Sequence, residues 1–506
     1  MEFLSLCISF IVILVSYLLA TRFHHKFSNL PPTIFPTIPI IGHLYLLKHP
    51  LYRTLAKISA KRGPIVLLHF GTRRVLLIAS PSASEKCFTK NNIIFANRPR
   101  MLVGKIIANN YTSLGSSSNG DNWRNLRRIA LIEILSIHRL NEFHDIREEE
   151  GRLLIRKLLL LDHSSHVDVK SALYELTLNV MMRMISGNRY FGGDVNLEVD
   201  EQGKRFTQIL NELFLLAGAA NLGDYMPILR WFGVNGLEKK LIALNEKKDE
   251  FFQGLIDYLK RKPKVVNKKK TLIEDLLSLQ ESDPNYYTDE MIRNFFMNLV
   301  AAGIDTSAGT MEWALSLLLN NPQVLKKAQN EIDGYINKDR LIEESDIVNL
   351  PYLRCIINET LRLYPPGPLL VPHESSKDCI IGGYNITSGT MLLVNQWAIY
   401  HDPKLWTDPE KFNPERFEGC EGTRDGFKLM PFGSGRRSCP GEGLAVRVIG
   451  STLGLLIQCF DWERLSDEMV DMTEGPGLTM PKTEPLVAKC KPRLEMQNLL
   501  SKLLVD

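Results

Sequence analysis

Phe432-Gly433-Ser434-Gly435-Arg436-Arg437-Ser438-Cys439-Pro440-Gly441 decides how the rest of this 506-residue chain is read. A proline directly after the cysteine suits the first position of a helix, where its missing N–H would have been unsatisfied anyway. The spacing therefore predicts Cys439 at a helix N-cap, where the dipole favours negative charge and a thiol ionises easily. Gly433, Gly435 and Gly441 let backbone amides approach the sulfur, and Arg437 offers a cation for a cofactor carboxylate. A lone iron or a haem fits such a cradle. A buried cysteine beside a glycine-rich turn is the alternative for the same residues.

Working outward, 44% of residues are apolar and 23% charged, which gives ample material for a core and excludes a disordered or fibrous chain. No linker divides the body, so it reads as one large domain. A formal charge of +4 is too mild for nucleic-acid binding. Eight cysteines without paired short spacings argue against a disulfide framework and for a reducing compartment.

Residues 3–20 form a nearly unbroken apolar run that, as a helix, reaches about 27 Å and just spans a hydrocarbon core. Arg22, His24, His25 and Lys26 follow, and the positive-inside tendency places that flank and the body on the cytoplasmic side. A cleaved signal peptide is the rival reading, against which stand the length of the run and the lack of a small-x-small site. The expected organisation is an anchor over 1–21, a basic and proline-rich hinge over 22–42 and a catalytic domain over 43–506. Pro31, Pro32, Pro36 and Pro39 make the hinge a stiff, non-helical tether.

Residues 65–70 and 75–79 are β-rich and flank Gly71-Thr72-Arg73-Arg74, a predicted hairpin, while most later segments show helical spacing. The fold class is mainly α with a small β region. The basic run over 260–270 reads as a solvated loop.

A long helix is predicted from Thr288 as N-cap to Asn320, where Asn321-Pro322 stops it. Its middle holds Ala302-Gly303-Ile304-Asp305-Thr306, and an interior glycine costs about 1 kcal/mol relative to alanine. Small side chains at Ala302 and Gly303 would admit a flat macrocycle and dioxygen, with Asp305 and Thr306 delivering protons. A tight helix crossing, with Thr306 bonded back to the Ala302 carbonyl, explains the same residues. Glu359 and Arg362 share a helical face and can pair, with Arg416 a third member. Trp123 and Arg127, four apart, can both donate to a cofactor propionate, and Arg437 would make a second clamp.

Phe432, Gly435, Arg437 and Cys439 match the F-x-x-G-x-R-x-C signature of the cytochrome P-450 family, haem-thiolate monooxygenases that this chain resembles. The resemblance covers nearly the whole chain after the N-terminus. It includes Trp123-Arg124-Asn125-Leu126-Arg127, Ala302-Gly303-Ile304-Asp305-Thr306, Glu359-Thr360-Leu361-Arg362 and Pro414-Glu415-Arg416-Phe417, in family order. Residues 370–376 and 471–479 resemble the plant microsomal subfamily numbered eighty-one. The resemblance implies the P-450 fold and haem b with Cys439 as axial thiolate. Phe432, Gly435, Arg437, Trp123, Arg127, Ala302, Gly303 and His373 would then lie around the haem, His373 reaching a propionate. Asp305 and Thr306 would be catalytic, and Glu359, Arg362 and Arg416 structural.

The same resemblance implies a single-pass anchor in the endoplasmic-reticulum membrane, contact with its lipid, dioxygen as co-substrate and a hydrophobic small-molecule substrate. Electrons would come from an NADPH-cytochrome reductase, since Gly433-x-Gly435 is not a nucleotide-binding fingerprint. Arg124, Arg128, Lys428 and Arg436 are candidates for its docking face. Substrate contacts are expected in 100–114, 210–229, 299–304, 369–371 and 477–479, with Phe214, Leu215, Leu216, Ala219, Ala220 and Leu222 as apolar wall. The plant subfamily includes hydroxylases of isoflavonoids, indole derivatives and terpenoids, and enzymes that close methylenedioxy bridges on lignans. Two other classes compete: a haem-thiolate isomerase or dehydratase that needs no reductase, against which Asp305-Thr306 argues, and a non-catalytic haem-binding protein.

Overall fold

The computed structural model describes residues 2–161, 166–192, 195, 197–218, 221–231, 236–261 and 269–505. The helices that frame the site are α1 (Glu2–Phe27), α2 (Asp121–Ile129), α3 (Val169–Ser186), α4 (Leu197–Gly218), α5 (Asp289–Asn320), α6 (Pro351–Leu363) and α7 (Glu442–Cys459). Helix α5 is the central beam. Thr288 caps it by accepting the Met291 N–H, and Asn321-Pro322 ends it, as the sequence predicts. Most of its C-terminal half is buried, including Trp313, Leu315 and Leu318. It packs on α3, α6 and α7.

Gly303 has a packing cause. A Cβ there would lie 2.6 Å from the Met181 sulfur of α3, so the missing side chain lets two helices cross closely. Gly303 therefore packs against α3, the tight helix crossing that the same residues allow.

The sheet that flanks this bundle has four strands, β1 (Ile65–Phe70), β2 (Arg73–Ile78), β3 (His373–Glu374) and β4 (Met391–Val394), in the order β1-β2-β4-β3. Strands β1 and β2 form the predicted hairpin with Phe70 opposite Arg73, so the turn is shorter than the four residues expected. Strand β2 runs parallel to β4, pairing Val75 with Met391, and β3 returns antiparallel with His373 opposite Leu392. Smaller two- and three-stranded sheets complete a mainly helical fold.

Helix α1 is longer than the apolar run that predicts it, and Phe3, Leu6, Ile13 and Phe23 on it are exposed. Helix α7 is apolar and long enough to cross a membrane by composition, yet most of it is buried in the core. The proline-rich segment after α1 is fastened to the sheet: the Leu67 N–H donates to the Pro32 carbonyl at 2.9 Å and the Thr33 hydroxyl to the Leu67 carbonyl at 2.5 Å. Buried His43 adds a further tie, accepting the His69 N–H on Nδ1 at 2.8 Å.

Candidate active site

The cysteine loop is closed by the Cys439 N–H, which donates to the Phe432 carbonyl at 2.8 Å. Gly435 has φ of +71°, and a Cβ on it would collide with the Phe88 carbonyl, so only glycine fits this approach. The next helix, α7, begins at Glu442 with Gly441 as its cap, two residues later than the proline predicts. Cys439 is thus not the N-cap. Its sulfur still accepts the Gly441 N–H. Burial nevertheless pushes the thiol up, and Glu442 adds to this, outweighing the Gly441 N–H, Arg127 and Arg424. The expectation of ready ionisation in the protein alone is corrected; a bound metal deprotonates a coordinating thiol outright. Surrounded on most sides by protein, Cys439 is still exposed, so it forms the floor of a recess.

Four guanidinium groups converge beside this loop without a carboxylate partner among the described residues. Arg437 donates through Nε to the Ala96 carbonyl at 2.7 Å and also to the Ser117 carbonyl. Arg127 donates to the Ser438 carbonyl at 2.9 Å, so it braces the cysteine loop itself. Arg98 donates to the Val371 and Pro372 carbonyls at 2.9 and 2.8 Å. Arg436 donates to Asn119 Oδ1 at 3.1 Å. The buried Trp123 ring lies 4.1 Å from the Arg437 guanidinium, and 5.6 Å from those of Arg127 and Arg436. Burial, reinforced by Arg98, Arg127 and Arg436, pulls Arg437 down to about 8. Such crowding of like charge calls for an anion, and the donor set suits a dicarboxylate.

Sequence reading missed Arg98, which carries no local signature beyond Asn97-Arg98-Pro99. It also assigned Arg436 to an outer docking face, whereas the side chain turns inward to Asn119 and Trp123. Lys428 sits 4.0 Å from the Trp406 ring centroid and 3.6 Å from Asp425, while Arg124 and Arg128 are exposed.

His373 is buried on β3, and its Nδ1 pairs with the Phe95 carbonyl at 2.7 Å. Burial, with Arg98 and Arg437 nearby, holds it far below the usual histidine range, so it is neutral at physiological pH.

On α5, Ala302 is exposed although Ala301 and Ile304 beside it are buried. The Thr306 hydroxyl donates to the Ala302 carbonyl at 2.6 Å, the back-bond considered above. Asp305 accepts the Thr479 hydroxyl at 2.7 Å, and burial raises its carboxyl. Behind the site Glu359 accepts from Arg362 at 2.7 and 2.8 Å and from Arg416 at 2.9 Å, joining all three.

The segments expected to contact substrate meet one another. The Leu478 N–H donates to the Phe214 carbonyl at 3.2 Å and Asp224 Oδ1 accepts the Leu102 N–H at 2.7 Å, while one residue beyond two of the expected segments Asn298 Oδ1 accepts the Gly115 N–H at 2.9 Å. Leu216 is buried and Leu215 exposed, while Ala219 and Ala220 lie outside the described residues, as does most of the basic 260–270 run.

A cysteine floor, an exposed alanine on a core helix and a carboxylate-free arginine cluster fit a haem with two propionates. The Cytochrome P450 family model matches residues 32–488, and the chain belongs to the cytochrome P450 family. It is a haem-thiolate monooxygenase of the plant subfamily eighty-one. The chain is 50% identical to cytochrome P450 81Q32 of Catharanthus roseus, with 94% of this chain and 93% of the relative covered. It is 49% identical to isoflavone 3'-hydroxylase of Medicago truncatula, over 96% and 97% of the two. It is also 46% identical to (+)-piperitol/(+)-sesamin synthase of Sesamum radiatum, over 99% and 98%. A zebra fish cytochrome P450 solved with progesterone shares the fold, with a TM-score of 0.76 at 24% identity over 88% of this chain and 100% of that one.

Proposed function

We propose that this protein oxidises a plant phenolic, an isoflavonoid or lignan, by hydroxylation or methylenedioxy-bridge closure, drawing electrons from NADPH through a reductase. The observation that carries the chemistry is Cys439 set beside four guanidinium groups that lack carboxylate partners. Relatives named for isoflavone hydroxylation and sesamin synthesis support the substrate class. Haem, when bound, supplies oxygen activation, and a thiolate ligand donates electron density that favours O–O cleavage.

The chain's own residues do the rest. Arg98, Arg437 and the Trp123 indole N–H bind and orient the propionates, while Arg127 fixes the cysteine loop. Phe432 and Gly435 shape that loop, and Ala302 leaves room above it. Thr306 can swing from the Ala302 carbonyl to offer its proton toward the reacting centre, and Asp305 reprotonates it. The exposed apolar α1, with the body on its cytosolic side, supports anchorage in the endoplasmic-reticulum membrane. Exposed Arg124 and Arg128 remain on the reductase-facing surface.

The test is a reduced, carbon-monoxide difference spectrum, followed by product analysis with NADPH and reductase on a panel of isoflavones, lignans and terpenoids. A thiolate-type spectrum with oxygenated phenolic products is expected. A thiolate-type spectrum with only terpenoid products overturns the substrate class, and loss of the spectrum overturns the haem site.

A further inference from the structure

A small cavity of about 20 Å³ lies along α5, bounded by Asp305, Thr306, Glu312, Tyr174, Lys170 and Thr479. That exceeds the roughly 10–15 Å³ a water molecule needs, and the walls are polar enough to hold one. Two features make it more than a packing gap. The Tyr174 hydroxyl is buried and has no hydrogen-bond partner, which is costly unless water reaches it. Glu312 carries its carboxyl into the core, 1% exposed, accepts the Leu486 N–H on Oε1 at 2.9 Å and lines the cavity. Asp305 and Glu312 stand seven residues apart, two turns along one face of α5, or about 10.5 Å. Both carboxyls line the cavity, and the Tyr174 hydroxyl beside it lies close enough to Asp305 to feel its charge.

We propose that this cavity is the enzyme's proton inlet: Glu312, cavity water and the Tyr174 hydroxyl carry protons from solvent beside the half-exposed Lys170 to Asp305. The proposal rests on the monooxygenase reading above. Each transfer moves a proton only. Solvent water gives one to Glu312, Glu312 passes it through the cavity to the Asp305 carboxylate, and Asp305 restores Thr306, so every group ends as it began. Burial raises both carboxyls, which makes each a better proton acceptor than a free carboxylate. Glu312 also faces Lys170, Lys482 and Asp168, and the two cations keep its charged form accessible.

The experiment uses the full-length haem-loaded protein and the variants Glu312→Gln and Tyr174→Phe. Glutamine keeps an acceptor for the Leu486 N–H, so a purely structural Glu312 predicts unchanged behaviour. With NADPH and reductase, and no added substrate, the share of reducing equivalents released as hydrogen peroxide is measured in H2O and D2O. Glu312→Gln should slow proton-dependent turnover by about tenfold, raise the peroxide share and enlarge the solvent isotope effect, with a smaller change in Tyr174→Phe. In the resting protein, infrared spectra should show a carboxylic-acid band that shifts in D2O and is missing from Glu312→Gln. Peroxide share, isotope effect and infrared band all as in the native protein overturn the inlet. Loss of the thiolate-type carbon-monoxide spectrum in the native protein instead overturns the underlying monooxygenase reading.

Discussion

Arg362 grips both carboxylate oxygens of Glu359 where neither side chain reaches solvent. The pair is locked further: Arg362 donates to the Tyr400 carbonyl at 2.6 Å, and the Asn413 N–H donates to Glu359 at 3.0 Å. Thus α6 holds the irregular 400–416 segment against itself. Removing one member of such a buried pair strands the other charge and costs about 3–5 kcal/mol. Glu359→Ala and Arg362→Ala should yield protein with little bound haem, measured as haem per polypeptide. Arg416→Ala, at a more exposed member, should be milder.

Cys439→Ser should abolish the thiolate-type carbon-monoxide spectrum, because a hydroxyl is a poor soft-metal ligand. Gly435→Ala should reduce haem content as well, since it forces φ of +71° on alanine, at about 1–3 kcal/mol, and drives a methyl group into the Phe88 carbonyl. Gly303→Ala tests a different constraint. Its methyl would press on the flexible Met181 side chain, so a Met181→Ala, Gly303→Ala double variant should be less destabilised than the sum of the single changes, read by thermal melting.

Thr306→Ala and Asp305→Asn should keep the carbon-monoxide spectrum and substrate binding. They should lower product formed per NADPH, by about 10²-fold in rate for the more severe of the two. The measurement is product against cofactor consumption in the reconstituted system.

Histidine burial sets an acid limit. His69 is held down at about 4 and His401 at about 3, both chiefly by burial, and His373 is also depressed. Their folded forms stay neutral while the unfolded chain takes up protons below its value of 6.5, so stability falls as pH drops below that point. Each such group contributes about 1.4 kcal/mol per pH unit until its own folded value is reached. Melting temperatures at pH 5 and 7 should differ less in His401→Gln than in the native protein.

Local grammar made parts of this molecule legible. Thr288 as cap and Asn321-Pro322 as stop bound α5, and Gly71 marked the first hairpin, because each signal acts within a few residues of its own backbone. Gly303 was ambiguous for the opposite reason: its partner, Met181, lies on a helix more than a hundred positions away. Arg98 was invisible since its meaning depends on Arg127 and Arg437 converging on it through tertiary packing. The cap at Gly441, where proline pointed to Cys439, shows that Pro440 here serves a turn before the helix begins.

The stitching of Pro32 and Thr33 to Leu67 bears on how a water-soluble form should be made. Trimming back to Asn29 discards the greasy lead helix but leaves that seam intact. Cutting at Gly42 would also strip the covering from the rim of β1 and leave its main-chain groups free to recruit a neighbouring molecule, inviting precipitation.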